Sequence, residues 1–158
     1  MKTIVVLSDT HGNKESVNRL WEVFKECDYI VHLGDGALDM SAALVEFPKK
    51  THVCKGNCDF VRIPREGELE VENVKIFFCH GDLYGVKSRL DRLADEAKAR
   101  GATLALFGHT HRAEITTQEG VTLVNPGSMR FPPHLGGTYA YITVKDGRAT
   151  PVIVGDYR

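Results

Sequence analysis

The sequence lacks any apolar run near the ~20 residues that crossing a bilayer requires, which excludes a membrane-spanning helix. Its four cysteines, Cys27, Cys54, Cys58 and Cys79, form no C-x-x-C pair. That is too few for a disulfide scaffold, and the paired thiolates of a structural zinc site are missing. Cys54 and Cys79 lie in apolar runs and read as small core residues, so a reducing cytoplasm is the expected compartment. Charge of one sign is also scarce: the formal net charge is −1. General attraction to nucleic acid or to an anionic membrane is therefore not expected. A phosphate-bearing ligand would have to be held locally. Repeats, low-complexity tracts and linkers are absent as well. The 158 residues accordingly predict a single domain with room for a real core. The opening MKTIVVLSDTHG runs straight into a polar motif and reads as a core strand rather than a signal peptide.

What is present is an alternation of apolar runs and amphipathic stretches. Ile4 to Leu7, Tyr29 to Leu33 and His52 to Cys54 read as buried strands. Between them, Val17, Leu20, Trp21 and Phe24 recur at helical spacing behind a candidate N-cap, Asn13, and a second helix is predicted from Leu38 to Phe47, before Pro48. This order favours a parallel sheet with helical crossovers. Leu69 to Glu72 and Val74 to Cys79 then read as a hairpin. A helix is predicted from Lys87 to Arg100, ended by Gly101, and Leu104 to Phe107 as another buried strand. The runs 113–117, 121–124, 138–144 and 149–154 suggest an antiparallel meander.

Polar residues follow these strands: Asp9 and His11, Asp35, Asn57, His80, and His109 with His111. Strand ends of an α/β sheet converge on one rim, where such folds place ligands. An extended i, i+2 pair points both side chains the same way, so Asp9 and His11 could grip one ion, with Gly12 letting the chain turn away. Asp35, with two carboxylate oxygens, could bridge two ions. Taken singly, each piece has a plain alternative. Asp9 or Asp35 could cap a helix, Asn57 could belong to a turn, and His80 could be a hydrogen-bonded core residue. The conjunction of all of them at strand ends favours a two-metal site. Mixed His, Asp and Asn ligation suits Mn²⁺ foremost, or Ni²⁺, Fe or Zn²⁺. His32, His52 and His134 lack such partners and receive no metal role.

In order, D-x-H from Asp9, G-D-x-x-x-D from Gly34, G-N-x-D from Gly56, H-G from His80 and G-H-T-H from Gly108 resemble the calcineurin-like metallophosphoesterases. Gly56-Asn57-Cys58-Asp59 and Asn125-Pro126-Gly127-Ser128 are similar to the small prokaryotic phosphodiesterases of that superfamily, a compact branch that includes the retromer scaffold subunit. The resemblance implies one α/β domain over residues 1–158, a four-layer αββα sandwich of two mixed β-sheets flanked by helices. It implies two divalent transition-metal ions. Asp9, His11, Asp35 and His111 would hold one, and Asp35, Asn57, His80 and His109 the other, with Asp35, Asn57 and His80 as catalytic residues. The implied activity is hydrolysis of small phosphodiesters by attack of a metal-bound water or hydroxide. A phosphomonoesterase, a nucleotide pyrophosphatase and a non-catalytic protein-binding scaffold are the alternatives. Scaffolds of this fold typically lose ligands, whereas all seven stand here, which favours an enzyme. Larger members read G-N-H-[DE]. That histidine serves there as general acid or phosphate contact, and Cys58 stands in its place here, which would leave a poor leaving group without a proton donor. Asp59 and Asp39 are candidate supports for the ligands, residues 125–128 a pocket edge, and Arg130 either a phosphate contact or a solvated arginine. A homodimer or higher oligomer is expected by analogy alone, and Phe131-Pro132-Pro133 reads either as part of an interface or as a loop beside the cleft.

Overall fold

Alternating inward and outward apolar residues make β1 (Lys2–Leu7) a central strand buried on both faces. The structure, a computed structural model, describes residues 1–155. After β1 come α1 (Lys14–Asn18), α2 (Trp21–Glu26), β2 (Tyr29–His32), α3 (Ser41–Glu46) and β3 (Thr51–Val53). The chain continues through β4 (Glu66–Val71), β5 (Val74–Cys79), α4 (Asp91–Ala99), β6 (Leu104–Leu106), β7 (Ala113–Gln118) and β8 (Val121–Pro126). Strands β9 (Thr138–Lys145) and β10 (Arg148–Gly155) close it.

The strands form two five-stranded mixed sheets, ordered β10-β9-β1-β2-β3 and β4-β5-β6-β8-β7. Ile4, Val6, Val31 and Leu33 of the first meet Ile76, Phe78, Leu104 and Leu106 of the second in a shared apolar layer. The opposite face of the first sheet, Val5, Leu7 and Ile30, is covered by Val17, Leu20, Phe24 and Ala43 of the helical layer. That of the second, Phe77, Cys79 and Ala105, is covered by Leu93, Ala94 and Ala97 of α4. The result is the expected four-layer α/β arrangement, because period-2 strands with both faces apolar must be covered twice. No helix among the described residues is long and apolar enough to cross a membrane.

Local signals explain several boundaries. The Asn13 side chain accepts a hydrogen bond from Ser16 N and caps α1 as expected. Gly101, at φ +76°, follows the end of α4. Its N–H donates to Lys98 O while Ala102 N donates to Ala97 O, a Schellman closure. Glu72 and Asn73, at φ +46° and +67°, make the two-residue turn of the β4–β5 hairpin.

Three expectations need correction. The helix predicted across Val17 to Phe24 is two short helices meeting at Leu20, although the same residues are buried. The Lys87 to Arg100 helix begins only at Asp91, because a turn at Gly85, φ +64°, precedes it. The four late strands are not one meander. β7 and β8 form a hairpin in the second sheet, whereas β9 and β10 form one in the first. β8 is apolar and buried enough to pair parallel with β6 as an inner strand, while β9 covers the free edge of β1.

Candidate metal centre

Strands β1, β2 and β3 run parallel, as do β5, β6 and β8, and the segments following all six bear on one rim. Asp9 and His11 follow β1, Asp35 follows β2, Asn57 follows β3, His80 follows β5, and His109 and His111 follow β6. Hydrogen bonds sew the two sheets together at that rim. His109 N donates to Asp9 Oδ2 at 3.0 Å and Ser128 Oγ to Asp9 O at 2.8 Å. His80 Nδ1 lies 2.7 Å from Leu33 O. A carbonyl only accepts, so Nδ1 carries the proton and Nε2 is left facing the cluster.

The backbone reaches these positions by departing from the strand. Asp9, His11, Asp35, His109 and His111 all have positive φ, between 45° and 72°. The other non-glycine residues with positive φ, Glu72, Asn73, Glu119 and Asp146, sit in hairpin turns. Asp and His tolerate the left-handed region better than most residues, yet each instance still costs free energy. Asp9 and His11 are therefore not the extended i, i+2 pair expected. They converge because each turns left-handed, and Gly12 continues the turn at φ +88°.

Six of the seven expected side chains come together in two groups whose ligand atoms lie within 4.8 Å: Asp9, His11 and His111, and Asp35, His80 and His109. Asp9 is fully buried, and its Oδ2 accepts from Ser8 Oγ at 2.6 Å as well as from His109 N. Its Oδ1 has no hydrogen-bond partner. Around that oxygen stand His111 Nε2 at 3.2 Å, His11 Nε2 at 3.7 Å and His80 Nε2 at 3.9 Å. Asp35 Oδ1 accepts from Cys58 N at 2.8 Å, leaving Oδ2 at 3.2 Å from His80 Nε2 and 3.9 Å from His11 Nε2. Asp35 thus offers one free oxygen, not two, and that oxygen faces both groups. Facing imidazole nitrogens are 3.3 Å apart in His11 and His111 and 3.2 Å apart in His80 and His109. This set of converging acceptors, with one buried acceptor orphaned, fits a pair of cations.

Burial works against the charge of Asp35, but the adjacent His80 imidazole and the Cys58 N–H outweigh it and hold the carboxyl well below the usual range. Burial alone would lower the pKa of His80, yet the neighbouring carboxylates of Asp35 and Asp9 raise it. Burial and then the neighbouring His80 lower that of His109.

Asn57 is exposed in the turn after β3, its amide nitrogen 3.6 Å from Cys58 Sγ, and the next residue's N–H is the one that bonds Asp35. Asp59 does not touch His109. It accepts from the N–H groups of Asp35, Gly36, Ala37 and Gly56 at 2.8–3.1 Å, binding the loops after β2 and β3 to each other. Asp39 accepts from Thr10 Oγ1 at 2.6 Å and Gly12 N at 2.9 Å, fixing the first loop. Asn125 Nδ2 donates to Gly108 O and Thr110 Oγ1, so residues 125–128 brace both histidine loops rather than merely edging a pocket. Arg130 lies over the Phe131 ring at 5.5 Å. Sequence reasoning missed Ser8, Thr10 and the Leu33 carbonyl, since nothing marks a lone hydroxyl or a peptide oxygen as a support.

Residues 1–147 match the Calcineurin-like phosphoesterase superfamily domain. The probable metallophosphoesterase YsnB of Bacillus subtilis is 33% identical over 150 residues, 93% of this chain and 87% of that protein. A predicted phosphoesterase of Streptococcus pneumoniae has a solved structure that superposes with a TM-score of 0.82 at 27% identity, covering 98% and 89% of the two chains. Two more distant structures share the fold alone, each 18% identical with a TM-score of 0.75. They are an archaeal phosphodiesterase (96% and 99% covered) and zinc-complexed Vps29 of Entamoeba histolytica (97% and 98%). Matched over residues 1–147 and by a relative 33% identical across 93% of its length, the chain belongs to the calcineurin-like phosphoesterase superfamily.

Proposed function

We propose that this protein is a metal-dependent phosphodiesterase that hydrolyses small phosphodiesters. Asp9, His11 and His111 would hold one divalent ion and Asp35, Asn57, His80 and His109 the other, with Asp35 serving both. The observation that carries this reading is Asp9 Oδ1, a buried, unpartnered carboxylate oxygen ringed by three imidazole nitrogens. Such an atom is costly unless a cation satisfies it. The nitrogen and oxygen donors suit Mn²⁺ foremost, with Ni²⁺, Fe or Zn²⁺ as alternatives.

Ions bound there supply Lewis acidity toward phosphoryl oxygens and acidify coordinated water. The chain supplies position. Leu33 O holds the His80 ring in one tautomer with Nε2 presented, and Cys58 N–H pins Asp35 through one oxygen. Cys58 is exposed beside Asp35, and a thiol is only a weak donor to a leaving group. Good leaving groups are therefore favoured. His11 and His111 are solvent-exposed, so the cluster opens to solvent, as a substrate with an ester group on both sides of phosphorus requires. This supports the diester reading over the monoester one.

Metal-stripped protein is expected to hydrolyse bis-p-nitrophenyl phosphate only when Mn²⁺, Ni²⁺ or Zn²⁺ is restored, and faster than it hydrolyses p-nitrophenyl phosphate. Asp35→Asn and His80→Ala should each lose more than the roughly 10–100-fold that outer partners of metal ligands carry. Metal binding without turnover of either ester would favour the protein-binding scaffold instead.

A further inference from the structure

A groove of about 520 Å³ is lined by His11 and Asp35 of the metal centre together with Lys14, Leu38, Cys58 and Phe60. Single exposed apolar residues need no explanation, but here two large ones share one wall. Phe60 is 98% exposed and Leu38 65%. Leu38 and Val61 also line an adjoining groove of about 510 Å³, so the apolar wall continues outward. Phe60 directly follows Asp59, whose carboxylate is tied to four backbone N–H groups, so the ring projects from an anchored point. The carboxylates of Asp39 and Asp59 in this wall are occupied by those internal hydrogen bonds, and Lys14 adds a cation. Lys14 is thus the groove's cation, and the phosphate itself would be held by the metal ions rather than by the groove. Whatever fills a groove that begins at the metal ligands is attached to the phosphoryl group held there.

We propose that this groove receives a flat aromatic ring on the organic side of the phosphate ester, stacked on Phe60, which makes nucleoside phosphodiesters the preferred substrate class. The proposal rests on the metallophosphoesterase reading and adds its specificity. Every base offers a π-face to an aromatic side chain, and such stacking tolerates differences in base identity.

The test compares adenosine 5′-monophosphate with ribose 5-phosphate, titrated calorimetrically into Mn²⁺-loaded wild type, Phe60→Ala and Phe60→Trp, with molar mass measured by light scattering. Wild type should bind the nucleotide more tightly than the sugar phosphate. Phe60→Ala should weaken the nucleotide by about 5- to 100-fold, the span of one base–aromatic stack. Ribose 5-phosphate, lacking a base, should keep its affinity, and Phe60→Trp should restore nucleotide binding. Equal affinities in wild type, or equal losses in Phe60→Ala, would overturn the subsite while leaving the phosphate site intact. A dimer that Phe60→Ala converts to monomer, without selective nucleotide loss, would make the groove a self-association face. Failure of both ligands and of inorganic phosphate to bind wild type would sink the phosphate site itself.

Discussion

His32 is fully buried and belongs to neither group of candidate ligands. Gly34 N donates to its Nδ1 at 3.0 Å, so that nitrogen is bare and the proton of the neutral ring sits on Nε2. Nε2 lies 3.1 Å from Thr10 Oγ1, which donates onward to Asp39. One imidazole thereby links the loop of Asp9 and His11 to that of Asp35. Burial lowers its pKa to about 4 from an ordinary 6.5. The folded state disfavours the charged ring, so the unfolded chain binds the extra proton between those values. Stability is then complete above pH 6.5 and falls as the pH drops toward 4. The shift corresponds to on the order of 3 kcal/mol. His32→Asn should be destabilised near pH 7 but should lose less stability than wild type between pH 7 and pH 4. Urea unfolding across that range measures it, and parallel curves for the two proteins would refute the assignment.

At the scale of elements, the centre depends on how closely the loops after β2 and β3 approach. A Cβ on Gly34 would strike the backbone of Gly56, and one on Gly56 would strike the Asp35 backbone at 2.5 Å and its carboxylate. Gly56 needs no unusual φ, so its role is space. Overpacking of this kind costs about 1–3 kcal/mol. Because the displaced group is a metal ligand, Gly56→Ala should weaken Mn²⁺ binding at least tenfold, on the order of the loss seen when a ligand's support is removed. A melting curve and a metal titration on the same variant separate the two effects. Full metal affinity in a destabilised Gly56→Ala would show that the contact serves folding alone.

Across the whole molecule, the centre sits on three apolar clusters that do not include its ligands. Chelation should therefore lower the melting temperature without unfolding the protein. Metal at about 100 times its dissociation constant adds ~2.7 kcal/mol. For a chain of this size that is a rise on the order of 5–10 °C. Calorimetry with Mn²⁺ and with chelator tests this, and coincident melts would show that the orphaned Asp9 oxygen is not relieved by metal. The same clusters show how much was legible beforehand. Ile4 to Leu7 and Ile76 to Cys79 announced buried strands because both faces are apolar, and Asn13 and Gly101 announced helix ends. The split of the late strands between two sheets was not legible. Both β8 and β9 read as strands, but which sheet each joins depends on the open edges beside β6 and β1, far away in sequence.

The sequence alone determined which side chains were available as ligands and that each follows a strand, because periodicity and turn residues are local properties of the chain. It also carried the family, since short motifs in fixed order survive without knowledge of contacts. Only the tertiary structure decided that Asp9 Oδ1 is left without a partner, that Asp35 has one free oxygen, and that Asp59 binds two loops instead of a histidine. Those facts depend on atoms brought together from segments far apart in sequence, as with His109 N and Asp9, separated by 100 residues. Long-range approach is set by how two sheets pack, and no local pattern encodes it.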